Sequence, residues 1–74
     1  MPTIVRFRNN VIRIYASDHF PPHFHIVGPD GALVVEIATL NVLAQKGRMD
    51  SREAMEWAKA NTSTLWAEWN RLNA

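Results

Sequence analysis

Two stretches near the start of the chain, residues 3–8 and 11–16, alternate apolar and polar side chains and are rich in β-branched and aromatic residues. A period of two is the signature of a strand with one face buried. Asn9-Asn10 lies between them, and Asn tolerates the positive φ of a two-residue hairpin turn. That loop length predicts pairing of Arg8 with Val11, Phe7 with Ile12, Arg6 with Arg13, Val5 with Ile14 and Ile4 with Tyr15. Val5, Phe7, Ile12 and Ile14 then form an apolar face, with Ile4, Arg6, Arg8, Val11, Arg13 and Tyr15 opposite. Residues 23–27 and 32–37 repeat the pattern around the turn-forming Gly28-Pro29-Asp30-Gly31. The second hairpin sets His23 against Glu36, Phe24 against Val35, His25 against Val34 and Ile26 against Leu33. Phe24, Ile26, Leu33 and Val35 extend the apolar face, and both histidines and Glu36 join the arginines.

Pro21-Pro22 cannot continue a ladder, because proline lacks the N–H donor, so it reads as a rigid connection between the hairpins. Residues 38–49 form a connection to which the pattern assigns no element. Asp50-Ser51-Arg52-Glu53 has the form of a capping box. From there Met55, Ala58, Thr62, Leu65, Trp69 and Leu72 recur at spacings of three and four, predicting one amphipathic helix over 50–73. Asn61-Thr62-Ser63-Thr64 has weak helix propensity, and a distortion is expected there. A helix of about 22 residues is roughly 33 Å long, against about 20 Å for short strands, so part of it overhangs the sheet. Trp57 lies off the stripe and Trp66 on its margin, which makes each either a partner-facing residue or a widening of the core contact. The fold class expected is α+β: an antiparallel β-meander of two hairpins (3–37) packed on one long C-terminal amphipathic helix, in a single domain (1–74).

A chain of 74 residues buries a modest fraction of its surface, so homo-oligomerisation or another partner is a natural way to complete its core. The absence of cysteine removes disulfides and thiolate metal sites and fits a reducing cytoplasm. Neither a signal peptide nor an apolar run of roughly 18 residues is present, so no membrane association is expected. Eight basic and seven acidic residues nearly cancel, which excludes global electrostatic attraction to nucleic acid. Locally the balance differs, because Arg6, Arg8 and Arg13 precede the first acid, Asp18.

All three histidines fall within Asp18-His19-Phe20-Pro21-Pro22-His23-Phe24-His25. On a strand His23 and His25 point to one side, close enough to share a metal, with His19 or Asp18 folding across to complete the set. The metal-free alternative makes His23 or His25 a general acid or base, with Glu36 orienting the imidazole, Arg6 and Arg13 stabilising a phosphoryl anion, and Tyr15 as a proton donor. That set suits metal-independent RNA cleavage. Arg6 opposite Arg13 is a like-charge pair that asks for a neutralising acid or external anion. The plainest alternative is a solvated polar face with His23 and Glu36 as a surface pair. No P-loop, dinucleotide-binding glycine pattern or Ser-His-Asp order is present.

Met1-Pro2-Thr3-Ile4, Val11-Ile12-Arg13-Ile14-Tyr15, Asp18-His19 with Pro21-Pro22-His23-Phe24-His25, Ile37-Ala38-Thr39-Leu40, and Glu56-Trp57-Ala58 before Trp69 together resemble the small bacterial family called domain of unknown function 4160. Phe20 stands where many relatives carry Asn, and Gly47-Arg48-Met49-Asp50 departs from the usual proline-and-arginine helix start. The resemblance implies a type II toxin–antitoxin arrangement, with this chain as the toxin and a small protein of domain of unknown function 2442 as its antitoxin partner. It supplies no target or reaction. The expectation is a toxin acting on RNA through the His/Arg/Glu surface, with Asp18, His19, Trp57 and Trp66 available for binding. The alternatives are a non-catalytic binding module and a protein holding a divalent metal at His19, His23 and His25.

Overall fold

The structure, a computed structural model, describes residues 3–73. Five strands, β1 (Thr3–Arg6), β2 (Val11–Arg13), β3 (His23–Val27), β4 (Gly31–Glu36) and β5 (Val42–Gly47), form one antiparallel sheet in the order β1-β2-β3-β4-β5. Two helices follow, α1 (Arg52–Ala60) and α2 (Thr62–Asn73). The architecture is therefore α+β with a meander sheet, as the alternation implies.

The second hairpin keeps the expected register, with His23 opposite Glu36, Phe24 opposite Val35, His25 opposite Val34 and Ile26 opposite Leu33. The first does not. Its tight turn closes on Phe7 N–H donating to Asn10 O at 2.7 Å, so the two loop residues are Arg8 and Asn9 rather than the two asparagines. Arg6 consequently pairs with Val11 and Val5 with Ile12, and Arg13 faces Thr3 across a local irregularity. Moving the loop by one residue shifts every partner by two, which keeps Val5 and Phe7 with Ile12 and Ile14 on the core side, whereas Ile4, expected on the opposite face, packs against the core at the irregularity. Asn10 explains the slide: it is buried, and its Nδ2 donates to Asp50 O at 3.0 Å, tying the hairpin tip to the start of the helical segment. The predicted Arg6–Arg13 pair does not form. Arg13 Nε donates instead to Thr3 Oγ1 at 3.2 Å.

The expected connection over 38–49 contains a strand. β5 pairs along β4 from Gly31 opposite Gly47 to Val35 opposite Val42. All of its residues are exposed, so its sequence carries no alternation to read. Two backbone features hold it. Leu40 takes a left-handed φ of 62°, closing the loop through Leu40 N–H to Glu36 O, while its side chain packs on the core. Gly47, at φ 69°, lies so close to Asp30 and Gly31 that no Cβ fits.

The single long helix is two. Asn61 ends α1, its Nδ2 donating to Trp57 O at 2.8 Å, and its own carbonyl accepts from Thr64 and Leu65 to open α2. Asp50 does not complete a capping box with Glu53 as expected. Its carboxylate takes the Arg52 N–H and guanidinium, and the helix starts two residues later at Arg52. The stripe survives the break: Ala54, Ala58, Leu65 and Trp69 bury with Ile12, Ile14, Phe24, Ile26, Leu33, Val35 and Ile37. Each large apolar side chain in this set contributes about 1.5–3 kcal/mol by burial. No helix of the described residues is long and apolar enough to cross a membrane.

Candidate functional site

The histidine segment builds a compact polar cluster where the β2–β3 connection meets β3. Ser17 takes a left-handed φ of 57°, and the Phe20–Pro21 peptide is cis. The connection brings Asp18 over the start of β3, where its Oδ2 lies 2.9 Å from His23 Nε2 and 3.5 Å from His25 Nε2. One ligand atom from each of the three residues falls within 4.8 Å of the others. His23 is 2 % exposed and packs at a tilt against Trp69, with ring centres 5.3 Å apart. Its Nδ1 is 2.8 Å from Pro21 O. A carbonyl only accepts, so Nδ1 carries a proton and Nε2 faces Asp18.

This corrects one expectation. His23 pairs with Glu36 in the backbone ladder, but its imidazole is not on an open face, being enclosed by Trp69 and the Asp18 connection. Glu36 does not reach it and accepts instead from Thr39 Oγ1 at 3.0 Å. Of the two strand histidines His25 is the more accessible, with a side chain 23 % exposed. Tyr15 sits edge-on to it at 4.8 Å between ring centres, and Arg13 is its cross-strand neighbour. Arg6 stands two positions further along and joins Arg8 and Arg13 in lining one open groove. Among the described residues no carboxylate lies within ion-pair reach of these three arginines.

His19 stays outside the cluster. Its side chain is 82 % exposed and its Nε2 is 3.7 Å from Asp18 Oδ1, so the expected His19/His23/His25 set becomes Asp18/His23/His25. Trp57 and Trp66 are half-buried against the core, Trp57 meeting Phe7 edge-on at 6.4 Å. They therefore widen the core contact. Among the described residues the large apolar side chains left exposed are Phe20, Val42 and Leu43. Two participants escaped the sequence reading. Trp69 was legible only as a core position of the helix stripe. Asn73 accepts from Asp18 N–H at 2.8 Å and donates to Tyr15 O at 3.2 Å and Trp69 O at 3.1 Å, and a lone polar residue at a helix end gives no such signal.

Electrostatics follow from this packing. Burial lowers the His25 imidazole below its ordinary value and outweighs the opposing pull of Asp18. Burial works against ionisation of Asp18, but the His19 N–H, the charge of His23 and the close imidazoles of His25 and His23 together hold its carboxyl below the usual range. Both shifts act in one direction. The unfolded chain takes up more protons than the folded one as pH falls, at His25 through its ordinary value of 6.5 and at Asp18 through 3.8. The melting temperature is therefore expected to fall on acidification below about pH 6.5 and again below about pH 4. In His25→Gln the first decline should flatten, and an unchanged profile would contradict the assignment.

No curated protein and no solved structure matches the chain. The family described as Domain of unknown function (DUF4160) matches residues 10–70, a span from the tip of the first hairpin to the buried Trp69 that takes in the whole Asp18–His25 segment, and the chain belongs to that family.

Proposed function

We propose that this protein is the toxin of a two-protein module and acts on RNA at the junction of Asp18, His23, His25, Tyr15 and Arg13. The observation that carries the reading is the half-open His25, held beside an arginine-lined groove and backed by a buried histidine and a carboxylate. Gathering five polar side chains at the edge of so small a core is expensive unless each is satisfied. Such clusters, with perturbed protonation, concentrate at working sites.

In this reading His25 takes the proton of the RNA 2′-hydroxyl as its oxygen attacks the adjacent phosphorus, the bond from phosphorus to the 5′-oxygen breaks with a proton passing to that oxygen, and Arg13, with Arg6 and Arg8 along the groove, receives the phosphates. Asp18 and His23 position His25, and Tyr15 is a proton donor at its edge. Glu36 has no part at the reacting end. The antitoxin, a small protein of the domain of unknown function 2442 family, covers the same groove. Phe20, 78 % exposed beside Trp69 on the Asp18–His25 connection, offers that partner a separate apolar contact.

Expression in a bacterial host without the partner should arrest growth. His25→Ala and Arg13→Ala should each relieve the arrest while the protein remains folded by circular dichroism. Unimpaired growth with the wild-type chain accumulating as folded protein would rule the proposal out. The competing reading, a non-catalytic binding module, predicts that a partner binds the chain and that His25→Ala leaves its cellular effect unchanged.

A further inference from the structure

We infer that Asp18, His23 and His25 form a binding site for one divalent transition-metal cation of the zinc class. The inference uses the same residues as the proposed function but does not depend on any action on RNA.

The starting point is a proton inventory. His23 Nδ1 donates to Pro21 O, so in the neutral imidazole Nε2 presents a lone pair, and that lone pair faces the Asp18 carboxylate at 2.9 Å. Two electron-rich atoms at this distance need a positive species between them. A proton would satisfy the His23–Asp18 pair but not the third atom. His25 Nε2 is enclosed, stands 3.5 Å from the same Asp18 Oδ2, and receives no hydrogen bond from any described residue. One cation satisfies all three atoms together.

Geometry and chemistry agree with that. Ligand atoms about 2.1 Å from one ion, at angles between octahedral and tetrahedral, stand about 3.0–3.4 Å apart. The two distances from Asp18 Oδ2, 2.9 and 3.5 Å, bracket this range, and the whole set lies within 4.8 Å, so a small rotation of the imidazoles closes the three atoms on one ion. A backbone carbonyl accepting from the far nitrogen of a liganding histidine fixes its tautomer and orientation, as outer partners of metal ligands do, and Pro21 O does this for His23. Two imidazoles and one carboxylate suit zinc, iron(II) or cobalt(II) better than magnesium or calcium, which prefer oxygen. Three protein ligands leave at least one coordination position, and the partial exposure of Asp18 and His25 gives it access to solvent. His19 flanks the site without belonging to it.

The test uses the full chain without a His tag, stripped with chelator and titrated separately with Zn2+ and Co2+. One equivalent should bind. The cobalt form should show visible absorption, and Trp69, packed against His23, should report Co2+ binding by loss of fluorescence. His25→Gln and Asp18→Asn should each weaken binding at least about 10- to 100-fold. His19→Ala should stay within about twofold of wild type, which separates this set from an adventitious histidine cluster. Absence of stoichiometric binding by the folded wild-type chain, or equal affinity in wild type, His25→Gln and Asp18→Asn, overturns the inference. Stoichiometric binding without growth arrest removes only the toxin reading, and growth arrest by a chain that binds no cation removes only this one.

Discussion

Trp69→Ala is expected to lower the free energy of unfolding by about 3–5 kcal/mol, the range for emptying a buried large aromatic position. The ring is 3 % exposed, packs against His23 at 5.3 Å and meets Phe20 at 6.2 Å, so alanine leaves a void at the contact between α2 and β3. For a chain of this size, total stability is roughly 4–11 kcal/mol. The variant should therefore lose a large share of its stability, while Trp69→Phe keeps most of the contact and most of the stability. Urea denaturation measures both. A loss below about 1 kcal/mol for alanine would mean that the helix does not close over β3 as described.

His23→Leu should be the next most damaging change, at about 2–4 kcal/mol, despite nearly conserving volume and apolar packing. Leucine strands Pro21 O, which loses its Nδ1–H donor, and leaves the Asp18 carboxylate facing an apolar side chain; stranding a buried polar group costs about 1–3 kcal/mol. Asp18 is partly exposed, which reduces its share. A double-mutant cycle separates this from packing. In an Asp18→Ala background His23→Leu should cost at least about 1 kcal/mol less, because one stranded acceptor is gone. Equal cost in both backgrounds would show that His23 acts there as a filler alone.

Much of the sheet was legible in the sequence because burial on one face imposes alternation. The second hairpin reads correctly down to its register, since Gly28-Pro29-Asp30-Gly31 leaves little choice of turn and Phe24, Ile26, Leu33 and Val35 must all face inward. The first hairpin slid because its turn is decided by a distant contact, the Asn10 amide on Asp50 O, which no local pattern encodes. β5 was illegible for the opposite reason: it is exposed on both faces, so only backbone pairing defines it. The helix stripe identified the buried positions but could not show that Asn61 both closes α1 and opens α2.

The site was legible as a cluster and misjudged in its arrangement. Alternation correctly placed His23 and His25 on the same side, and their ring centres are 5.1 Å apart. It could not reveal that the Asp18 connection folds over that side and that Trp69 closes on His23. Counting strand periods assigns faces and says nothing about what a loop or a helix end later puts on them. For the same reason Glu36, correctly paired in the ladder, was assigned a role at the imidazole, whereas Thr39 in the adjacent loop holds its carboxylate.

Asn73 ties the last turn of α2 to the loop that carries Asp18, through the Asp18 amide on one side and Tyr15 O on the other. Fraying of that terminal turn and loosening of the Asp18 loop are consequently one motion. In deuterium exchange, the amide of Asp18 should lose protection together with those at the end of α2, although 55 positions separate the two in the chain. The tightness of the histidine cluster is thus set from the far end of the polypeptide.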